Sequence, residues 1–254
     1  MKRIILKILY KLGYTVLKND HPKLEKPGAK EDRILSYLIE DHSPTCFDVG
    51  AHMGETIDKF SALFPNGKIW AFEPTYRLFN NLLFKYGDVD NLRIENFALS
   101  DYHGGGNFYL QDHENFNSLH KMKDGKNKTE KVTVTTLDGY CSQNDIKEID
   151  VLKVDTQGND SQVLKGSKNI LQNTKVVMTE ISFTDTYGHR TSFLDIEKVL
   201  PKEFVLYDII KKVNNKHEDD KHMPQSEPFI VRNKHMKGHL LWSNVVYINA
   251  KYFK

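Results

Sequence analysis

From position 32 onward the chain alternates between two kinds of apolar pattern. Short apolar runs at 45–49, 68–72, 92–96, 150–154 and 175–181 read as buried strands. Between and after them, at 33–40, 55–64, 75–86, 160–170 and 193–200, apolar residues recur every three or four positions, the spacing of one helix face. Pro65-Asn66-Gly67 stops the second of these helices. Further strands are expected at 204–210 and 243–249. Repeated strand and helix units of this length predict an α/β fold, a mostly parallel sheet with right-handed crossovers and helices on both faces.

Three stretches depart from that rhythm. After Gly104-Gly105-Gly106, residues 107–110 and 131–136 alternate apolar and polar, as antiparallel strands do, and predict a β-hairpin inserted at about 103–136. Residues 211–239 carry no apolar period and read as a loop beside the acceptor site, since long loops in compact domains are usually functional. At the start, Ile4, Ile5, Ile8, Leu9, Leu12 and Val16 stand at helical spacing among lysines, so residues 1–18 predict a basic amphipathic helix. It docks either on its own domain or on an anionic membrane surface. His21-Pro22 and Pro27-Gly28 mark a linker, which leaves one domain over 31–254.

Composition narrows the function classes. With 39% hydrophobic residues among 254 the chain is no disordered tail, and no apolar run reaches the ~20 residues of a membrane span. Lys7 and Lys11 interrupt what would be the apolar region of a signal peptide, so the expected setting is cytoplasmic, with possible contact at the inner face of the membrane through residues 1–18. Cys46 and Cys141 supply neither a disulfide framework nor a cysteine metal site. The net charge of +2 is uneven: residues 1–30 hold eight basic and two acidic side chains, which leaves 28 basic and 32 acidic on the rest. A nucleic-acid binder is expected to carry a basic body, so no nucleic-acid partner is predicted.

In an open parallel sheet ligands bind beyond the carboxyl ends of the strands. Asp48-Val49-Gly50-Ala51-His52-Met53-Gly54-Glu55-Thr56 follows the first strand, Glu73-Pro74 the second, Phe97-Ala98-Leu99-Ser100-Asp101 the third and Asp155-Thr156-Gln157-Gly158 the fourth. Gly50 and Gly54 suit a turn whose backbone lies against a ligand. Asp48 repels phosphate, and the glycine spacing is not G-x-G-x-x-G, so a nicotinamide dinucleotide is disfavoured. Glu73 is placed to accept hydrogen bonds from a ribose. A nucleoside that lacks phosphates and bears an amino acid satisfies both acids, and S-adenosylmethionine is such a molecule.

These segments, with Thr136-Leu137-Asp138, Asp150-Val151-Leu152-Lys153-Val154-Asp155, Val163-Leu164-Lys165-Gly166 and Glu180, resemble in order the signatures of the FkbM family of S-adenosylmethionine-dependent methyltransferases, over about 45–200. The resemblance implies a Rossmann-like class I methyltransferase with a seven-stranded sheet. It also implies methyl transfer to a hydroxyl of a sugar in a surface polysaccharide, or of a related metabolite. Two positions depart from the family pattern: Gln157 stands where an acid is usual, and His52 where Asn is common.

For the cofactor the sequence nominates Asp48, Gly50, His52, Gly54, Thr56, Glu73, Phe97, Ala98, Ser118 and Asp155, with Ser118 nominated because similar family segments approach the cofactor. A hydroxyl acceptor needs a base, for which the candidates are Asp155, then Glu180 and His189. Each has a plainer alternative. Asp155 orients ligands without taking a proton, Glu180 pairs with Lys153, His189 is merely solvated, and Phe97 and Ala98 pack in the core. No metal is expected: His235 and His239 have helical spacing, but no Glu follows His235 and Gly238 weakens a helix there. The rival functions are a binding module without catalysis and methylation at nitrogen. The latter lacks its usual Asn/Asp-Pro-Pro-Tyr/Phe turn after the fourth strand.

Overall fold

A computed structural model describes residues 31–111, 117–121, 128–182, 191–210 and 242–253. Segments 1–30, most of the loop at 184–191 with His189, and the stretch 211–239 therefore lie outside the described residues.

In chain order the elements are α1 (Glu31–Leu38), β1 (Thr45–Val49), α2 (Glu55–Leu63), β2 (Lys68–Phe72), α3 (Tyr76–Tyr86), β3 (Leu92–Glu95) and β4 (Ala98–Leu99). They continue with β5 (Gly104–Leu110), β6 (Lys128–Thr135), α4 (Leu137–Gln143), β7 (Ile149–Val154), α5 (Asp160–Lys165), a 3-10 turn (Ile170–Asn173), β8 (Thr174–Ser182), α6 (Phe193–Val199), β9 (Phe204–Ile210) and β10 (Trp242–Asn249).

Seven strands form one sheet in the order β3-β2-β1-β7-β8-β10-β9. All its pairings are parallel except those of β10, which runs antiparallel to β8 and β9. The expected Rossmann-like class I methyltransferase fold, mostly parallel and seven-stranded, is therefore present. Strand order reverses between β1 and β7, which makes their carboxyl ends the natural ligand crevice.

Both faces of the sheet are covered, which is why its central strands are mostly apolar. On one face Phe47, Leu152, Val177 and Tyr247 join a core that includes Leu164 and Ile196. On the other Cys46, Val151, Val176 and Val246 pack under Ile34 and Leu35 of α1 and Phe60 of α2. Phe47 stacks on Trp70 at 5.1 Å between ring centroids, and Tyr140 meets Phe72 edge-on at 5.0 Å. Burial pushes the thiol of Cys141 up to about 12, so it packs and does not react.

The structure departs from the sequence expectations at three places. The insertion is not a bare hairpin: β5 and β6 pair antiparallel, but β4 adds to β6 in parallel, giving a three-stranded sheet. Two residues are too few for β4 to show a period. The helix expected to reach 170 ends at Lys165, and Gly166 after it passes so close to the Ser100 carbonyl that a Cβ would lie 2.1 Å from its oxygen. The sequence reading missed α4, which Thr136 caps by accepting from the Gly139 N–H at 3.1 Å. Among the described residues no helix is long and apolar enough to cross a membrane.

Candidate active site

The register of β1 against β7 sets Asp48 beside Lys153. Asp48 is fully buried, and neither carboxylate oxygen has a hydrogen-bond partner among the described residues. Burial pushes its pKa up to about 6. The charge of Lys153 works against that rise, the Asp155 charge adds to it, and the Thr56 hydroxyl lowers it.

Lys153 answers the question of its own charge. Its ammonium lies 3.1 Å from Asp155 Oδ2. Burial alone would favour the neutral amine, but Asp155, Asp48 and Glu31 outweigh it and hold the pKa above the ordinary lysine value. Lys153 thus pairs with Asp155, two positions further along β7.

The glycine turn after β1 is fixed from β2. The N–H groups of Gly50 and Ala51 both donate to the Phe72 carbonyl at 3.0 Å. Gly50 and Gly54 have left-handed φ of 95° and 87°. A Cβ on Gly54 would come within 2.5 Å of the Tyr86 hydroxyl, which donates to the Gly54 carbonyl at 3.0 Å. Thr56 sits buried in the first turn of α2, against Asp48.

His52, also left-handed at φ 50°, turns its N–H onto Glu73 Oε2 at 3.0 Å. The other oxygen of Glu73 accepts from the Thr75 N–H at 2.9 Å and hydroxyl at 2.6 Å. Burial still dominates and pushes Glu73 up to about 7, against the lowering effect of these donors. His52 therefore serves the site at least through its backbone, by orienting Glu73.

Phe97 and Ala98 make core contacts. Phe97 packs against Phe72 and Tyr140, with centroids 5.6 Å apart in each case, and Ala98 is buried with Phe108, Val132 and Val134 under the small sheet. Asn96 ties this segment to the site by donating to the Glu73 and Pro74 carbonyls at 3.0 Å.

Beyond β7 the chain turns sharply, with Gln157 and Gly158 at φ of 54° and 96°. The Gln157 amide donates to Asp155 Oδ1 at 2.9 Å. Ser118, nominated from the insertion, is fully buried and donates to the Gln157 carbonyl at 2.7 Å. Thr191 donates to the Gly158 carbonyl at 3.1 Å. The insertion and the segment before α6 thus hold the turn in place.

Sequence reasoning missed two buried residues here. Asn159 donates to the Leu99 carbonyl at 2.9 Å and accepts from the Ser100 hydroxyl at 3.2 Å, joining the β4 and β7 ends. Asp160 accepts from Thr179 and from the Gly158 N–H, both at 3.2 Å. Burial, then the charge of Asp155, pushes its pKa up to about 7. Its only local signal was an acid opening a helix. Glu180, near the end of β8, faces Asn244 of β10 in register.

Among the described residues no group of three or more His, Cys, Asp and Glu is placed to hold a metal ion. The donor set fits another ligand. Asp48 presents two buried oxygens that lack a donor among the described residues, Glu73 is oriented at the adjoining strand end, and Gly50 lets the β1 turn approach the Asp155 backbone closely. That arrangement suits a ligand bringing an amino group, positive charge and ribose hydroxyls.

The profile of the Methyltransferase FkbM domain matches residues 48–208. The chain belongs to the FkbM methyltransferase family. It is an S-adenosylmethionine-dependent methyltransferase, with the cofactor expected from the acids at its strand ends. The 2-O-methyltransferase NoeI of Sinorhizobium fredii (strain NBRC 101917 / NGR234) is 27% identical over 195 residues, covering 70% of this chain and 80% of NoeI. The crystal structure of methyltransferase FkbM from Methylobacillus flagellatus KT has 15% identity and a TM-score of 0.47, covering 89% of this chain and 48% of that one. The chain thus spans about half the length of that structure. A TehB-like methyltransferase from Corynebacterium glutamicum ATCC 13032 Kitasato has 10% identity and a TM-score of 0.46, covering 98% of this chain and 96% of that one.

Proposed function

We propose that this FkbM methyltransferase methylates a hydroxyl, of a sugar in a glycan or of a related small metabolite, and that Asp155 takes the hydroxyl proton. The observation that carries the reading is the two-sided hold on Asp155 at the end of β7. Asp155 is anchored by Lys153 at one oxygen and Gln157 at the other, beside the β1 turn where the cofactor belongs.

Bound S-adenosylmethionine supplies an electrophilic methyl on a sulfonium, and transfer to oxygen is an in-line displacement. In this reading Asp48 holds the cationic amino-acid end and Glu73 the ribose, which leaves the protein mainly to align the reacting atoms. A carboxylate is a weak base for an alcohol, so Asp155 accepts the proton as the new C–O bond forms. With Asp48 and Glu73 given to the cofactor, Asp155 is the strand-end acid assigned to the acceptor in this reading. Glu180 and His189 are the alternative bases.

The 2-O-methyltransferase named among the relatives supports oxygen as the acceptor atom. Asp155-Thr156-Gln157-Gly158 offers neither the proline nor the aromatic of the usual nitrogen-methylating turn. Nucleic acid is not proposed as an acceptor, because the chain apart from residues 1–30 is slightly acidic.

The test is an acceptor screen with S-adenosylmethionine carrying a labelled methyl, against sugars, oligosaccharides, amines and RNA. Label on a sugar hydroxyl, lost in Asp155→Asn, is the expected result. Label on an amine or RNA, or transfer undiminished in Asp155→Asn, overturns the reading.

A further inference from the structure

We propose that Gln157 is a positioning residue, one that with Lys153 clamps both carboxylate oxygens of Asp155 so that the acid stays ionised and aimed at the acceptor. The proposal rests on the reading of Asp155 as the proton acceptor.

Gln157 is two residues beyond Asp155, past the end of β7, and its side chain faces back to that acid. The backbone there makes a double left-handed turn, with φ of 54° at Gln157 and 96° at Gly158. Such backbone is costly for a residue with a Cβ and persists only when the surroundings fix it. Here three contacts do so. Ser118 of the insertion donates to the Gln157 carbonyl at 2.7 Å, Thr191 donates to the Gly158 carbonyl at 3.1 Å, and the Gly158 N–H donates to Asp160 at 3.2 Å. Asp155 is anchored at its other end, its N–H donating to the Val49 carbonyl at 2.9 Å.

The chemistry of the clamp follows from what surrounds Asp155. Lys153 lies on β7 itself, Asp48 on β1 and Asp160 on α5, and Glu31 of α1 acts through Lys153. Glu180 sits near the end of the neighbouring strand β8. Among these named groups Lys153 is the cation, and the Gln157 amide adds a neutral donor that favours the charged form of Asp155. An amide donates at every pH, whereas an acid at position 157 donates only while protonated. Two carboxyls at hydrogen-bond distance share a proton and titrate as a pair.

The experiment is an NMR titration of the full chain labelled with carboxyl-13C aspartate, the Asp155 signal being assigned by its loss in Asp155→Asn. Gln157→Leu should raise the Asp155 midpoint by about one pH unit, the roughly tenfold effect of losing a hydrogen bond to a charged group. Gln157→Glu should split it into two coupled steps. The thermal midpoint and binding of S-adenosylhomocysteine show whether each variant is folded. An Asp155 midpoint unmoved in folded Gln157→Leu overturns the clamp. Should that variant not fold, a single unaltered step in Gln157→Glu does so. If Asp155→Asn transfers methyl to a sugar at the wild-type rate, the base reading falls and the positioning claim with it. An unmoved midpoint with Asp155-dependent transfer refutes the clamp alone.

Discussion

Gly50 and Asp155 fit together only because position 50 has no side chain: a Cβ there would lie 2.1 Å from the Asp155 carbonyl oxygen. The contact joins the turn after β1 to the end of β7, the two strands at which the order of the sheet reverses. One residue therefore sets both the cofactor turn and the position of the proposed base.

Gly50→Ala should strain a backbone already at φ 95° and force one of the two segments to move. The expected loss is about 1–3 kcal/mol of stability, the range for such backbone strain, together with S-adenosylmethionine binding. Thermal denaturation and calorimetric titration measure the two; wild-type affinity in the variant would refute the fit.

Cofactor binding should depend on pH. Asp48 and Glu73, raised to about 6 and about 7 by burial, must be ionised to hold a cation and to accept from ribose. Affinity for S-adenosylmethionine should therefore rise from pH 5 to pH 8, and Glu73→Gln should flatten the upper part of that rise. Calorimetry across the range checks it, and a constant affinity would count against both assignments.

The ligand-free protein should show the opposite trend in stability. An acid whose folded pKa is raised binds its proton more tightly when folded. Its contribution is thus fully present below its ordinary value, 3.8 for Asp160, and is lost as pH rises through about 7. Asp160→Asn should remove this component, so the difference in thermal midpoint between variant and wild type should drift in the variant's favour from pH 4 to pH 8. A pH-independent difference would show that Asp160 ionises normally.

Lys153→Met should be severe, because it leaves Asp48 and Asp155 without their counter-charge. Removing one partner of a buried pair costs about 3–5 kcal/mol. The loss should be smaller at pH 5, where Asp48 is largely protonated, than at pH 8. Denaturant unfolding at the two pH values decides this; equal losses would mean that Lys153 acts by packing.

The sequence by itself pointed to most of the strands and helices, the glycine turn, the acids at the strand ends and, through their order, the family. These are local matters: a five-residue apolar run such as 45–49, a stop at Pro65-Asn66-Gly67, an acid at each strand end. Tertiary structure decided who neighbours whom. Asp48 and Lys153 are 105 positions apart, and only the parallel register of β1 on β7 makes them adjacent. Lys153 also pairs with Asp155, two positions further along its own strand. Asn159 and Asp160 gave no periodic signal, since their roles lie in contacts to Leu99 and Thr179 on other strands. Gln157, from sequence a departure that removed an acid, became a donor to Asp155 once the left-handed turn was visible. Burial and cross-strand register, which no local pattern encodes, set both the charges and the geometry of the site.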